Sequence, residues 1–263
     1  CCSRNAPRLR PSKGLCRAVI RHAPQNCAKS AEPKQRRTVT AGCVFSKYRK
    51  RWGRKVALIY TDLRNLTVIQ GNSILPHSLS LLFQYLASIT KSEGRAGGDR
   101  VSAALERHAA SEIELHRLEN PFSEILAPSL SLVGGDLGDY LRLAAPYIHW
   151  YGSDLSENRI PKSVADRMPM CELIGPDGMF FEADVRVGLW QQTAHVTYGP
   201  RRHAAEETFF ILSGEAEWWN EDDGHQRLGA GRQVFHRSNV LHTTITAESP
   251  LFAIWRWSGD VGF

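Results

Sequence analysis

In the stretch "GPRRHAAEETFFILSG" (199–214), His203 and Glu207 stand four residues apart at the head of an apolar run. Side chains alternate across a strand, so Glu207, Phe209 and Ile211 share one face while Thr208, Phe210 and Leu212 share the other. His203 has the parity of Glu207, so both point into one cavity if the strand is continuous. Further on, "GRQVFHRSNVLH" (231–242) supplies a glycine, a strand, a turn and then His242. Imidazole, carboxylate and imidazole make a natural ligand set for a divalent transition metal. The set accepts iron, manganese, zinc, nickel or cobalt without choosing among them. Arg201, two residues before His203, cannot join it, because a guanidinium has no lone pair to give an ion. His195, His225 and His236 lack a carboxylate at a matching spacing. They are read as structural or exposed, with His195 the one that could line the cavity. Glu206 alternates away from Glu207. Cys171 has no base partner nearby in sequence and reads as a buried residue.

These residues need a scaffold, and the texture of the chain after about residue 170 provides one. Short β-rich runs, "MCELIG", "DVRVGLWQQTAHVTY", "ETFFILSGEAEWWN", "RQVFH", "LHTTITA" and "LFAIWRW", are separated by turn formers such as "GPDG", "NEDDG" and "ESP". Many close-spaced strands with no helix between them predict an antiparallel sandwich or barrel. Ahead of them the apolar spacing is helical. "LPHSLSLLFQYLASITK" places Leu79, Leu81, Leu82, Tyr85 and Leu86 near one face. "DRVSAALERHAASEIELHRLEN" follows a glycine-rich break, with Asp99 as its expected N-cap. Two shorter helices are expected around 119–131 and 135–148. The expected organisation is a basic extension over 1–55, a helical region over 56–150 that packs on the barrel, and the barrel over 151–263.

Charge divides along the same line. Residues 1–55 hold 16 Lys and Arg against one acid, Glu32, while the remainder holds 17 bases and 26 acids. The net-acidic body excludes a nucleic-acid partner for that part. The basic segment carries five of the six cysteines and no C-x-x-C pair, so zinc-finger and thioredoxin spacings are absent. It begins with Cys rather than Met and is expected to be a disordered or non-native extension. Its Arg-rich, acid-poor composition also fits an organelle-targeting peptide or a nucleic-acid-binding arm. No apolar run is long enough to span a membrane. A body with one cysteine fits a reducing compartment, so the expected location is cytoplasmic, with organelle targeting through the basic segment as the other possibility.

The order and spacing of the two histidine segments resemble the cupin superfamily, a jelly-roll β-barrel. Its first motif is G-x5-H-x-H-x3,4-E-x6-G. His203-x3-Glu207-x6-Gly214 matches the latter part, with Arg201 at the first histidine and His195 at the first glycine. The second motif is G-x5-P-x-G-x2-H-x3-N, and Gly231-x5-Arg237-x-Asn239-x2-His242 keeps its spacing and its histidine. Within the cupins the wording is similar to the dimethylsulfoniopropionate (DMSP) lyase family. The shared features are "CELIGPDG", "VGLWQQ", Tyr198 five before His203, "HAAEE", "LSGEAEWW" and "WRWSGD". The resemblance implies a mainly β, cupin-type barrel with an N-terminal helical region. It also implies an enzyme that cleaves DMSP to dimethyl sulfide and acrylate by β-elimination.

Carried over residue by residue, the resemblance makes His203, Glu207 and His242 the ligands of a divalent transition metal and Tyr198 the base. A sulfonium rests favourably on aromatic faces, a contact worth roughly 0.5–2 kcal/mol, and Trp190 and Trp255 are candidates for it, as are Trp218 and Trp257, each of which also reads as barrel core. Two positions depart from the family. Phe209 stands where the family often has a tyrosine near the metal, and Arg201 replaces a histidine. Two imidazoles and one carboxylate still suffice for an ion with open positions, and Arg201 could clamp a substrate carboxylate. The expected partner is a small-molecule substrate, with a homodimer possible. The same ligands suit a non-haem dioxygenase, and Phe209 with Arg201 also suits a non-catalytic cupin that binds a small ligand.

Overall fold

The structure, a computed structural model, describes residues 74–111, 116–153 and 160–262. Four helices come first: α1 (Ile74–Lys91), α2 (Ala96–Ala109), α3 (Ser123–Leu132) and α4 (Gly135–Ala144). The strands follow: β1 (Tyr151–Gly152), β2 (Pro169–Ile174), β3 (Val185–Gln192), β4 (Val196–Arg201) and β5 (Ala205–Ser213). Next come β6 (Glu215–Asn220), β7 (Gly224–Gly229), β8 (Gln233–His236), β9 (His242–Thr246) and β10 (Leu251–Gly259). A one-turn helix, α5 (Lys162–Ala165), lies between β1 and β2. The strands build two antiparallel sheets, ordered β1-β2-β3-β10-β5-β8 and β4-β9-β6-β7. This is a cupin-type jelly roll, mainly β, with helices ahead of it. The basic extension expected over 1–55 lies outside the described residues.

The six-stranded sheet is buried on both faces, which is why all eight residues of β3 are buried. One face of its central strands, Leu189, Phe210, Phe252 and Ile254 among them, packs with Leu79, Phe83, Leu105 and Leu141 of the helices. The other face, including Trp190, Phe209, Trp255 and Trp257, packs inside the jelly roll with Tyr198 and Trp218 of the second sheet. On α1 the buried stripe is Leu79, Leu82, Phe83 and Leu86. Leu81 and Tyr85 fall off it because 100° per residue carries them around the helix, and Tyr85 is 36% exposed.

A buried polar tie joins the two layers. Arg256, fully buried on the helix-facing side of β10, donates from Nε to Glu93 Oε2 at 2.9 Å and from Nη2 to Glu93 Oε1. Thr208 of β5 donates to the same carboxylate at 2.7 Å. Helix α2 starts three residues before its expected cap, at Ala96, and the glycine pair explains why. A Cβ on Gly97 would come 2.8 Å from Arg256 Nη1, so only glycine lets this first turn lie on the tie. Asp99 therefore sits inside the first turn, where it pairs with Lys91 at 2.8 Å.

Other expectations shift for local reasons. The helix expected to run to Asn120 ends at Ala109, and residues 116–120 are irregular. The two shorter helices occupy 123–132 and 135–144. The run 184–198 is two strands, parted by a turn in which His195 takes φ 57°. Strand β7, "GHQRLG", has no apolar alternation because it is an edge strand facing solvent. It is held by pairing with β6 and by the Glu217–His225 and Glu215–Arg227 contacts.

Removing one member of a fully buried ion pair leaves the other charge uncompensated. Arg256→Met is predicted to lower stability by about 3–5 kcal/mol in urea unfolding, whereas Glu93→Leu combined with Arg256→Met recovers much of that loss.

Candidate metal centre

Three elements bring His203, Glu207 and His242 together. Glu207 is the third residue of β5 and points inward, 4% exposed. His242 opens β9 and is 1% exposed. His203 lies in the three-residue link between β4 and β5, not on a continuous strand, so its position does not follow from parity. Local bonds hold it instead. Its Nδ1 lies 3.0 Å from the Ala205 carbonyl, and its own carbonyl accepts from the Asn239 amide at 2.8 Å. Its ring packs on Trp257 with centroids 4.4 Å apart.

The hydrogen bonds orient the donor atoms. Nδ1 of His242 faces the Val240 carbonyl at 2.9 Å, as Nδ1 of His203 faces that of Ala205. A carbonyl only accepts, so each Nδ1 carries a proton, and in the neutral ring each Nε2 presents a lone pair. Both Nε2 atoms turn toward Glu207 Oε2, at 3.4 Å from His203 and 3.3 Å from His242. All three atoms lie within 4.8 Å of one another. An ion with bonds of about 2.1 Å and tetrahedral angles spaces its ligand atoms about 3.4 Å apart. Two imidazole lone pairs and a carboxylate converging on one point repel each other unless a cation stands between them. The residues therefore fit a divalent metal.

The second oxygen of Glu207 accepts from Trp257 Nε1 at 2.8 Å, which leaves Oε2 turned inward. Burial works to raise the Glu207 carboxyl, but positive charge on His203 and His242 outweighs it and holds it well below the usual carboxylate range; with both rings neutral, that positive charge must come from an ion between them. Burial, followed by the nearby Arg201 charge, lowers His242 below the usual imidazole range.

Around this cluster the other candidates sort themselves. Tyr198 is buried and faces inward on β4, opposite Thr244 of β9. Arg201 stacks its guanidinium 3.7 Å from the centre of the Tyr198 ring and donates to the Tyr198 carbonyl at 2.8 Å. Its Nε and Nη2 have no hydrogen-bond partner among the described residues. Phe209 sits in an aromatic cluster with Trp190 at 5.1 Å and Trp218 at 5.0 Å. Trp190 is also 5.9 Å from Tyr198, and its indole N–H donates to Ser153. Trp255 is tied to the β2 side of the sheet by its bond to the Cys171 carbonyl. His195 and His225 are exposed and pair with Glu248 and Glu217, away from the centre. Cys171 is buried, and burial pushes its thiol up.

Sequence reasoning missed two members of this neighbourhood. His236, read as structural or exposed, is 1% exposed and stacks on His242 with centroids 4.2 Å apart and planes 16° apart. Burial, then His242, pushes it down to about 3, so it is neutral. It lies directly opposite Glu207 in the β5–β8 register, a neighbour that no spacing along the chain reveals. The indole of Trp257, read as barrel core or an aromatic face, is in the core and is also the donor that orients Glu207.

A two-sheet jelly roll with a histidine–glutamate cluster inside defines a cupin-type fold. Comparison with known proteins narrows it. The DMSP lyase family model matches residues 93–253, and the chain belongs to that family. The DMSP lyase DddQ of Ruegeria pomeroyi is 36% identical over 104 residues, 40% of this chain and 52% of that protein. The chain thus spans about half the length of that relative. A putative DMSP lyase, DddL of Cereibacter sphaeroides, is 23% identical over 186 residues, 64% of this chain and 77% of that protein. The crystal structure of DddQ from Ruegeria pomeroyi superposes with a TM-score of 0.51 at 26% identity, covering 70% of this chain and 94% of that one.

Trp257→Phe keeps the ring but removes the donor on Glu207. It is predicted to weaken zinc binding about 10–100-fold, as losses of groups that orient ligands do, in a chelator-competition titration.

Proposed function

We propose that the chain is a metal-dependent carbon–sulfur lyase that cleaves DMSP to dimethyl sulfide and acrylate by β-elimination. The observation that carries this reading is the convergence of His203 Nε2, Glu207 Oε2 and His242 Nε2, in a member of this family, beside an inward-facing Tyr198. A divalent transition ion bound there supplies a Lewis acid for the carboxylate of the substrate. Tyr198 is the proposed base. Its phenolate oxygen takes the proton from the carbon next to the carboxylate, that electron pair forms the new double bond, and the C–S bond breaks with its electrons on sulfur. Neutral dimethyl sulfide leaves and acrylate remains.

The other residues bind and exclude water. Arg201 holds the Tyr198 ring from one face, and its two remaining donors are available to a substrate carboxylate. Trp190 offers a π face for the sulfonium, packed against Tyr198 and Phe209. Trp255 is assigned to the support of that wall, since its indole is committed to Cys171. The barrel over 151–263 is proposed as the catalytic unit, with the helices between Ile74 and Ala144 as its cover.

One observation favours a second reading. Phe209 fills the position two after Glu207 with a ring that can neither ligate nor accept a proton, and it is packed among tryptophans. A chain of this kind that binds a small carboxylate without cleaving it would look the same.

Incubating the metal-loaded chain with DMSP and measuring acrylate and dimethyl sulfide separates the two. Acrylate formation by the wild type is predicted, with Tyr198→Phe at least about 100-fold slower. An inactive wild type combined with an active Phe209→Tyr variant would establish the binding cupin instead.

A further inference from the structure

Inside the jelly roll, beside the metal centre, three polar side chains stand unused by it. Trp218 on β6, His236 on β8 and Thr244 on β9 are 2%, 1% and 0% exposed. Trp218 Nε1, Thr244 Oγ1 and both ring nitrogens of His236 have no hydrogen-bond partner among the described residues. Buried polar groups in folded proteins nearly always have partners, so several without a protein partner in a single patch point to a polar molecule held there. The patch is contiguous. Trp218 lies directly opposite Thr244 in the β6–β9 register. The Trp218 and His236 rings are 6.2 Å apart, and His236 stacks on His242, which shares a strand face with Thr244.

The donor chemistry narrows what would fill it. An indole N–H only donates, a threonine hydroxyl donates freely, and an imidazole in any protonation state keeps at least one N–H to donate. Their N–H and O–H groups suit oxygen acceptors, which a carboxylate has and a sulfonium lacks. His236 is also not a further ligand of the ion held by His242. Lone pairs lie in the ring plane, and two rings 16° from parallel and 4.2 Å apart do not aim theirs at one point. It stands beside the metal centre, stacked on the His242 ring.

We propose that Trp218, His236 and Thr244 form an oxygen-binding subsite for a small monocarboxylate. They would share with Arg201 the carboxylate oxygen that the ion does not hold, and so fix which end of the molecule faces the centre. The subsite rests on the three-residue metal centre proposed above, but its test does not need the elimination reaction.

Propionate is titrated calorimetrically into the zinc-loaded full chain, with propionamide as the uncharged control. Thr244→Val removes a hydroxyl at constant shape, and Trp218→Phe removes an N–H while keeping a ring. Each is expected to weaken propionate binding about tenfold, the effect of one hydrogen bond to a charged group. Zinc affinity and melting temperature are expected to match the wild type. Propionate affinity within twofold of wild type in either folded variant, parallel loss of zinc, or no propionate binding by the wild type would overturn the proposal. If Trp218→Phe does not fold, the isosteric Thr244→Val decides alone. A chain that passes this test yet forms no acrylate from DMSP keeps the subsite and loses the lyase reading; acrylate formation with unchanged propionate affinity does the reverse.

Discussion

One strand register holds both halves of this molecule in place. Where β5 pairs with β10, Glu207 faces Trp257 and Thr208 faces Arg256. Successive residues point to opposite faces, so Trp257 reaches a buried glutamate inside the jelly roll while Arg256 reaches another, Glu93, under the helices. A slip of one residue would turn the Arg256 charge into the aromatic interior and the Trp257 indole onto Glu93. The two buried carboxylates thus lock the register from both sides. The same lock seats the helical layer, since Gly97 permits the first turn of α2 to lie against Arg256.

The electrostatics of the interior follow from that placement. A carboxylate at Glu207's depth loses its hydration and needs compensation. Trp257 supplies one hydrogen bond, but the two imidazoles offer lone pairs toward the other oxygen, because their Nδ1 protons are engaged by the Ala205 and Val240 carbonyls. The compensation that fits this geometry is a cation. The Arg201 charge, stacked on Tyr198, adds a second positive field on the side of the cavity where the proposed base stands.

Much of this was legible along the chain, and the rest was hidden for definite reasons. The mainly β architecture and the helices ahead of it follow from alternation and helical spacing. His203, Glu207 and His242 stand at a spacing that motif and chemistry both single out. By contrast, His236 enters the same cavity only through the β5–β8 pairing, a long-range register that sequence spacing does not encode. Trp257 was visible as an aromatic but not as a donor, since that depends on which glutamate lies across from it. Strand β7 was invisible because an exposed edge strand needs no apolar alternation. The early start of α2 depended on a glycine packing against an arginine some 160 residues away, beyond the reach of capping rules.

The most direct measurement is anomalous diffraction from crystals of the cobalt-loaded protein. The account predicts a single strong peak inside the jelly roll, about 2.1 Å from His203 Nε2, Glu207 Oε2 and His242 Nε2. A cobalt-soaked crystal with no peak there, or with its peak on other residues, would contradict it.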